Sequence, residues 1–240
     1  MTGPVALHGG GEFLPGDEPF LLAILALAPR VDGVIRVAVV PTAAARGRPN
    51  LAAANGVAAF RRVADGIPVV VEAVRVVDAA SAADAALAER LATAGLIHLP
   101  GGDPDIIPTL YPGTAAWAAM QRAHASGAVV AGASAGAMAL AAWTWTRDGG
   151  MRGLGVVPGI GVAPHADAAS WDQVLARYGA AVPPDLDFIG LAERTGVIVR
   201  PAAGDPWEVV GEGEARWLSA AARAAGEPPM VARAFERIER

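Results

Sequence analysis

Ser134 stands at the centre of Gly132-Ala133-Ser134-Ala135-Gly136, directly after the apolar run Val129-Val130-Ala131. The spacing is G-x-S-x-G between a predicted strand and a predicted helix. A strand that turns this sharply into a helix forces its central residue into a strained conformation, and small flanking residues relieve the crowding. The hydroxyl is then held out at a sheet edge. The next backbone N–H, that of Ala135, is aimed at the same space and can stabilise an oxyanion. The chemistry indicated is acyl transfer with Ser134 as the nucleophile.

Such a serine needs a base, and the chain has four histidines. His98 falls inside a predicted strand, as a core residue would. His124 falls mid-helix, on the expected surface. His8 closes the first strand beside a glycine loop. His165 ends a strand-like run, Gly155 to Pro164, and can return to the edge that carries Ser134. Position makes His165 the first candidate and His8 the reserve. A metal centre is not indicated, because no two histidines share a ligand spacing.

Composition narrows the chemistry further. Among 240 residues there is no Cys, and all 19 basic residues are Arg, so there is no Lys. Disulfides, thiolate metal sites and a thiol nucleophile are excluded, as are Schiff-base chemistry and a P-loop lysine. A net charge of −5 argues against nucleic acid as a partner. Apolar residues at 53% and charged residues at 18% describe a compact folded chain with a sizeable core. Gly9-Gly10-Gly11 is followed by Leu14 where a dinucleotide loop would need glycine, so no nucleotide cofactor is expected.

The elements that must position these groups alternate β-branched runs with Ala-rich helical segments. Strands are predicted at 5–7, 34–40, 69–77, 96–99 and 128–131. Helices are predicted at 19–28, 51–64, from a Ser81/Asp84 capping box to about 94, and at 114–126. Runs apolar on both faces and separated by helices mean βαβ units and a mainly parallel sheet. Ligands gather at the carboxyl ends of such strands. The loops at Gly9–Gly11, Gly101-Gly102 and Gly132–Gly136 all lie there, with Gly10, Gly11 and Asp103 as candidate pocket residues. Beyond this point, Trp171, Val174, Leu175 and Tyr178 share one helical face. Short strands, antiparallel at the sheet edge, are predicted at 188–191, 197–199, 207–210 and 215–218, and a closing helix at 230–240. The uncharged stretch 125–146 is long enough to cross a bilayer, but its Gly, Ser and Thr content fits a buried strand and helix better. The amino terminus carries no basic cluster before an apolar run. One soluble cytoplasmic domain over 1–240 is the expectation. Self-association as a homodimer stays open.

Several motifs together resemble the cyanophycinase and dipeptidase E family of serine peptidases. They are G-A-S-A-G-A-M at 132–138, P-G-G-D at 100–103, G-L-G-V-V-P with a following P-H over 153–165, L-H-G-G-G-E at 7–12 and P-T-A at 41–43. A further run, I-G-L-A-E-R-T-G-V-I-V at 189–199, is similar to the family's I-G-I-D-E-x-T-A-x-x-V. The resemblance implies a class I glutamine amidotransferase-like fold, a three-layer α/β/α sandwich, and peptide or amide hydrolysis without metal or cofactor. It implies Ser134 as nucleophile, His165 as base, and Gly102 with Ala135 as oxyanion donors. Asp148, between elbow and histidine, occupies the stretch where the family places its acid, and Asp167 competes with it. One departure bears on substrate. Aspartyl-selective members carry arginines just after the histidine, whereas here the first is Arg177. Arg46 and Arg48 read as solvated loop residues. Two other readings remain: an α/β-hydrolase-type esterase, and a non-catalytic small-molecule binder on the same scaffold.

Overall fold

The computed structural model describes residues 2–200 and 205–238. The strands, in chain order, are β1 (Val5–His8), β2 (Ile35–Val39), β3 (Val69–Ala73), β4 (Leu96–Leu99), β5 (Val129–Ala133), β6 (Ala141–Thr144), β7 (Met151–Arg152), β8 (Val157–Ala163), β9 (Asp187–Leu191), β10 (Thr195–Val199), β11 (Trp207–Gly211), β12 (Glu214–Leu218), β13 (Met230–Arg233) and β14 (Arg237–Ile238). The helices are α1 (Glu18–Leu27), α2 (Pro49–Val63), α3 (Ala79–Ala83), α4 (Ala85–Ala92), α5 (Ile106–Leu110), α6 (Ala115–Ala125), α7 (Ala135–Leu140), α8 (Trp171–Val174) and α9 (Ala220–Ala225). A π-helical turn, Leu175–Gly179, continues α8.

Two mixed sheets result. The larger has the order β14-β11-β10-β1-β5-β4-β2-β3 and the smaller β13-β12-β9-β8-β6-β7. From β1 to β3 the large sheet is parallel, built by helical crossovers. β10, β11 and β14 then add antiparallel. In the small sheet the parallel pairings are β6 with β8 and β8 with β9, and the remaining pairings are antiparallel. A single mainly parallel sheet is therefore not what forms. The physical reason is connection length. A parallel pair needs a crossover of a dozen or more residues, whereas short links such as the one between β6 and β7 permit antiparallel neighbours.

The core follows from burial on both faces. Every residue of β5 is buried, as expected for a central parallel strand. On one face of the large sheet, Phe20, Leu21, Ile24 and Leu25 of α1 and Phe60 of α2 cover Val37, Val39, Leu96 and Val129. Each such buried side chain contributes about 1.5–3 kcal/mol. On the other face, Ile97, Leu99 and Val130 share one apolar cluster with Leu140 of α7 and with Ile160, Val162, Ile189 and Leu191 of the small sheet. Trp143, Trp171, Val174 and Phe188 form a third cluster, in which Leu175 and Tyr178 also pack, so the helical face predicted there is present.

Three local expectations change. The capping box is formed by Asp78 and Ser81, and Asp84 caps a second helix by accepting from the Ala86 and Leu87 N–H groups. Strand β3 ends at Ala73, because Val74 and Val76 hold the chain by isolated backbone bonds instead. The predicted closing helix is two short strands, β13 and β14, because Met230–Arg233 pairs with β12 and Arg237–Ile238 pairs with β11. Residues 239–240 of that predicted helix lie outside the described residues. The uncharged stretch 125–146 holds β5, α7 and β6, and no described helix is long and apolar enough to cross a membrane.

Candidate active site

Ser134 links β5 to α7 at φ 49° and ψ −115°, a conformation that costs a non-glycine residue roughly 1–3 kcal/mol. The elbow is tight because its flanks are bare. A Cβ added to Gly132 would lie 2.4 Å from the Gly136 carbonyl carbon, and one on Gly136 would lie 2.1 Å from the Leu99 carbonyl oxygen. The Ser134 N–H is tied back to the His8 carbonyl at 2.9 Å. All six residues of α7 are buried, which anchors the far side of the turn.

His165 follows β8 and takes φ 55°. Its Nε2 is 3.2 Å from Ser134 Oγ, and its Nδ1 is 2.9 Å from Glu193 Oε1. If Nδ1–H donates to the carboxylate, Nε2 is left as the acceptor of the Ser134 hydroxyl proton. That tautomer is the one a nucleophilic serine requires. His165 and Glu193 are half exposed, with side-chain accessibilities of 49% and 42%. The relay is therefore open to solvent. Ser134, His165 and Glu193 come from the carboxyl ends of β5, β8 and β9, and β1 ends beside them.

The carboxylate at His165 is Glu193, neither Asp148, which the resemblance implied, nor its competitor Asp167. Asp148 is exposed in the turn after β6, where its neighbour Thr146 accepts from Gly149, and no hydrogen bond joins Asp148 to His165. Asp167 does not reach the imidazole either, although its Oδ1 accepts the Glu193 N–H at 3.3 Å and so steadies that carboxylate's backbone. A signal existed in the sequence. Glu193 is the carboxylate of the 189–199 run, between two strands, at the edge where Ser134 and His165 had already been placed.

The other histidines sort by burial. His8 is fully buried, its Nδ1 accepts the Gly10 N–H at 3.2 Å, and its ring packs on Phe20 at 4.5 Å, so it is not available as a base. His98 is a core residue between Phe13 and Phe60, and burial pushes its pKa down to about 3. His124 is half-buried rather than on the surface, with Nδ1 3.2 Å from the Ala128 carbonyl.

The remaining loops close around the serine. Gly10 lies against the histidine, since a Cβ there would sit 2.4 Å from His165 Cε1. Gly11 backs onto Glu193 and Arg194. The Gly102 N–H has no partner among the described residues, and Ala135 opens α7, where an N–H cannot be satisfied within the helix. Asp103 donates its N–H to the Ala43 carbonyl and adds negative charge near Arg46. Glu12 is a second carboxylate at the site, and its Oε1 accepts the Gly101 N–H at 2.8 Å. A Cβ on Gly101 would lie 3.0 Å from Glu12 Oε1 and 3.2 Å from Ser134 Cβ, so carboxylate and serine flank the same point. Three arginines have partners of their own. Arg46 makes a two-pronged pair with Asp105 at 2.8 Å, which holds the Asp105 carboxyl below its ordinary range. Arg194 pairs with Glu212, and Arg177 lies 4.6 Å from the centre of the Trp145 ring. Among the described residues no group of three or more His, Asp or Glu is gathered to hold a metal ion.

Known proteins match this chain over most of its length. The profile described as "Peptidase family S51" matches residues 6–202. The chain is similar to a solved peptidase from an acI-B1 Actinobacterium, with TM-score 0.81 and 26% identity, covering 100% of this chain and 98% of that one. It shares its fold with a protein described as a putative peptidase E from Listeria monocytogenes EGD-e, with TM-score 0.61 and 14% identity, covering 89% and 99% respectively. A search of curated proteins found no match. A serine elbow and a histidine–carboxylate pair, on a chain that matches this profile over most of its length, lead to one conclusion: the chain belongs to peptidase family S51 and is a serine-type peptidase.

Proposed function

We propose that the protein removes the amino-terminal residue from small peptides through an acyl-enzyme on Ser134. The observation that carries this reading is the continuous relay from Ser134 Oγ to His165 Nε2 at 3.2 Å and from His165 Nδ1 to Glu193 at 2.9 Å. Ser134 Oγ attacks the scissile carbonyl as His165 takes its proton, and Glu193 stabilises the imidazolium that forms. The oxyanion is received by the N–H groups of Gly102 and Ala135. His165 then protonates the leaving amine, and water, activated by the same imidazole, releases the acyl group. An α/β-hydrolase-type esterase would need further strands between Ser134 and its histidine, and the 3.2 Å contact with His165 gives that alternative no support.

Glu12 supports the exopeptidase part. An N-terminal ammonium is two bonds from the scissile carbonyl carbon, and Glu12 is the carboxylate that flanks the serine. A charge-assisted contact there favours a free amine. Arg46, Arg194 and Arg177 are drawn to Asp105, Glu212 and the Trp145 ring, and no arginine follows His165 before Arg177, so neutral residues are the expected first position. Two measurements test this. Ser134→Ala should abolish fluorophosphonate labelling, and undiminished labelling would overturn the nucleophile assignment. Free dipeptides and tripeptides should be cleaved and their N-acetylated forms spared, with Glu12→Gln narrowing the difference. Equal turnover of acetylated and free peptides would refute the role of the amine.

A further inference from the structure

We propose that His8 and Asp17, a buried pair outside the catalytic relay, are positioning residues that set its geometry. The proposal rests on the assignment of Ser134, His165 and Glu193 above. Three consecutive carbonyls at the end of β1 hold the three catalytic segments. The His8 carbonyl accepts the Ser134 N–H at 2.9 Å, the Gly9 carbonyl accepts the His165 N–H at 2.8 Å, and the Gly10 carbonyl accepts the N–H of Arg194, next to Glu193, at 2.7 Å. A shift of residues 8–10 therefore moves all three groups relative to one another.

The His8 side chain fixes that segment. Its Nδ1 accepts the N–H of Gly10, which sits at φ 111° with its Cα facing the His165 ring. With Nδ1 as acceptor, the ring proton is on Nε2, which lies 2.9 Å from Asp17 Oδ1. That approach is bent away from the ring N–H, so the contact is an electrostatic pairing rather than a straight hydrogen bond. Asp17 Oδ2 accepts the Phe13 N–H at 2.8 Å. The pair thus clamps both ends of the loop from β1 to α1. Both side chains are completely buried, a placement that costs desolvation and that an apolar residue would avoid. What an apolar residue cannot supply is an acceptor for the Gly10 N–H.

Two isosteric variants separate positioning from general packing. In His8→Asn the amide oxygen falls where Nδ1 was and still accepts from Gly10. In His8→Gln the amide nitrogen falls where Nε2 was, and the acceptor is lost. The readout is the rate of Ser134 phosphonylation by a small fluorophosphonate, which has no amine for Glu12, normalised to the folded fraction from circular dichroism. Misplacing catalytic groups by around an ångström can cost ~100-fold, so His8→Gln should lose at least about tenfold while His8→Asn stays within about threefold of wild type. Equal losses in the two variants, or no loss in either, would overturn the proposal. If neither His8 variant folds, Asp17→Ala takes their place, because it removes the acceptor of the Phe13 N–H that neither His8 variant touches: a rate fallen by about tenfold supports the clamp, and a wild-type rate in folded protein refutes it. Ser134→Ala in the same assay keeps the two readings apart, because persistent labelling there removes the nucleophile assignment itself.

Discussion

Glu193→Gln is the perturbation that most directly tests the relay. Gln keeps the volume and hydrogen-bonding length of Glu but loses the charge, so packing around the β9–β10 connection is preserved. The 2.9 Å contact to His165 Nδ1 is charge-assisted when the imidazole is protonated, and such bonds contribute about 1.5–3 kcal/mol. At about 1.4 kcal/mol per factor of ten, the transition state loses roughly 10- to 150-fold. The lower half of that range is expected. The Glu193 side chain is 42% exposed and water can take its place, unlike the fully buried acid of other triads, whose amide variant costs about 10,000-fold. The assay is release of free amine from a neutral dipeptide, with kcat and KM determined separately. kcat should fall about 10- to 50-fold with KM nearly constant, because the carboxylate acts on the imidazolium and does not touch substrate. Asp148→Asn and Asp167→Asn serve as internal comparisons, both expected within about threefold of wild type, since neither side chain reaches His165 and Asn can still accept from the Glu193 N–H. Wild-type kcat in Glu193→Gln, or an equal loss in Asp148→Asn, would refute the assignment of the acid.

Three further outcomes follow from the same geometry. Gly10→Ala should reduce kcat by at least about 100-fold, because its Cβ would collide with His165 Cε1 at 2.4 Å, and it should lower the melting temperature through its φ of 111°; a melting shift with unchanged kcat would show that the ring has room to move. His98 should contribute to acid instability: it stays neutral in the folded core down to about pH 3, whereas in the unfolded chain it binds a proton near pH 6.5. Its stabilisation is therefore complete above pH 6.5 and is lost as pH falls toward 3, so His98→Leu should show a smaller drop in urea midpoint between pH 7 and pH 4 than wild type, and an identical drop would contradict a neutral buried ring. Asp105 should report its Arg46 partner by NMR titration, with Arg46→Ala raising its midpoint toward the ordinary carboxylate value; an unmoved midpoint would mean that the two-pronged pair is not held in solution.

The sequence alone determined what is local. The elbow needs only residues 132–136, whose small side chains let strand and helix backbones touch, and its geometry is set within a few bonds of Ser134. The absence of Cys and Lys left serine as the nucleophile and histidine as the base. Alternating apolar runs marked the parallel half of the large sheet, because burial on both faces is written into each strand separately. The tertiary structure decided what depends on pairing between distant segments. Glu193 reaches His165 because β9 lies parallel to β8 while β10 returns antiparallel to β1, and no residue spacing encodes that register. His8 looked available beside its glycine loop until α1 folded over it and brought Asp17 to its ring. The carboxyl-terminal segment, expected as a closing helix, forms strands because edge pairing with β12 and β11 satisfies its backbone groups, and those partners lie far from it in sequence or in another element. Short-range sterics fix a turn from the sequence outward, whereas a catalytic acid arrives through hydrogen-bonded neighbours that are neighbours only once the sheets have formed.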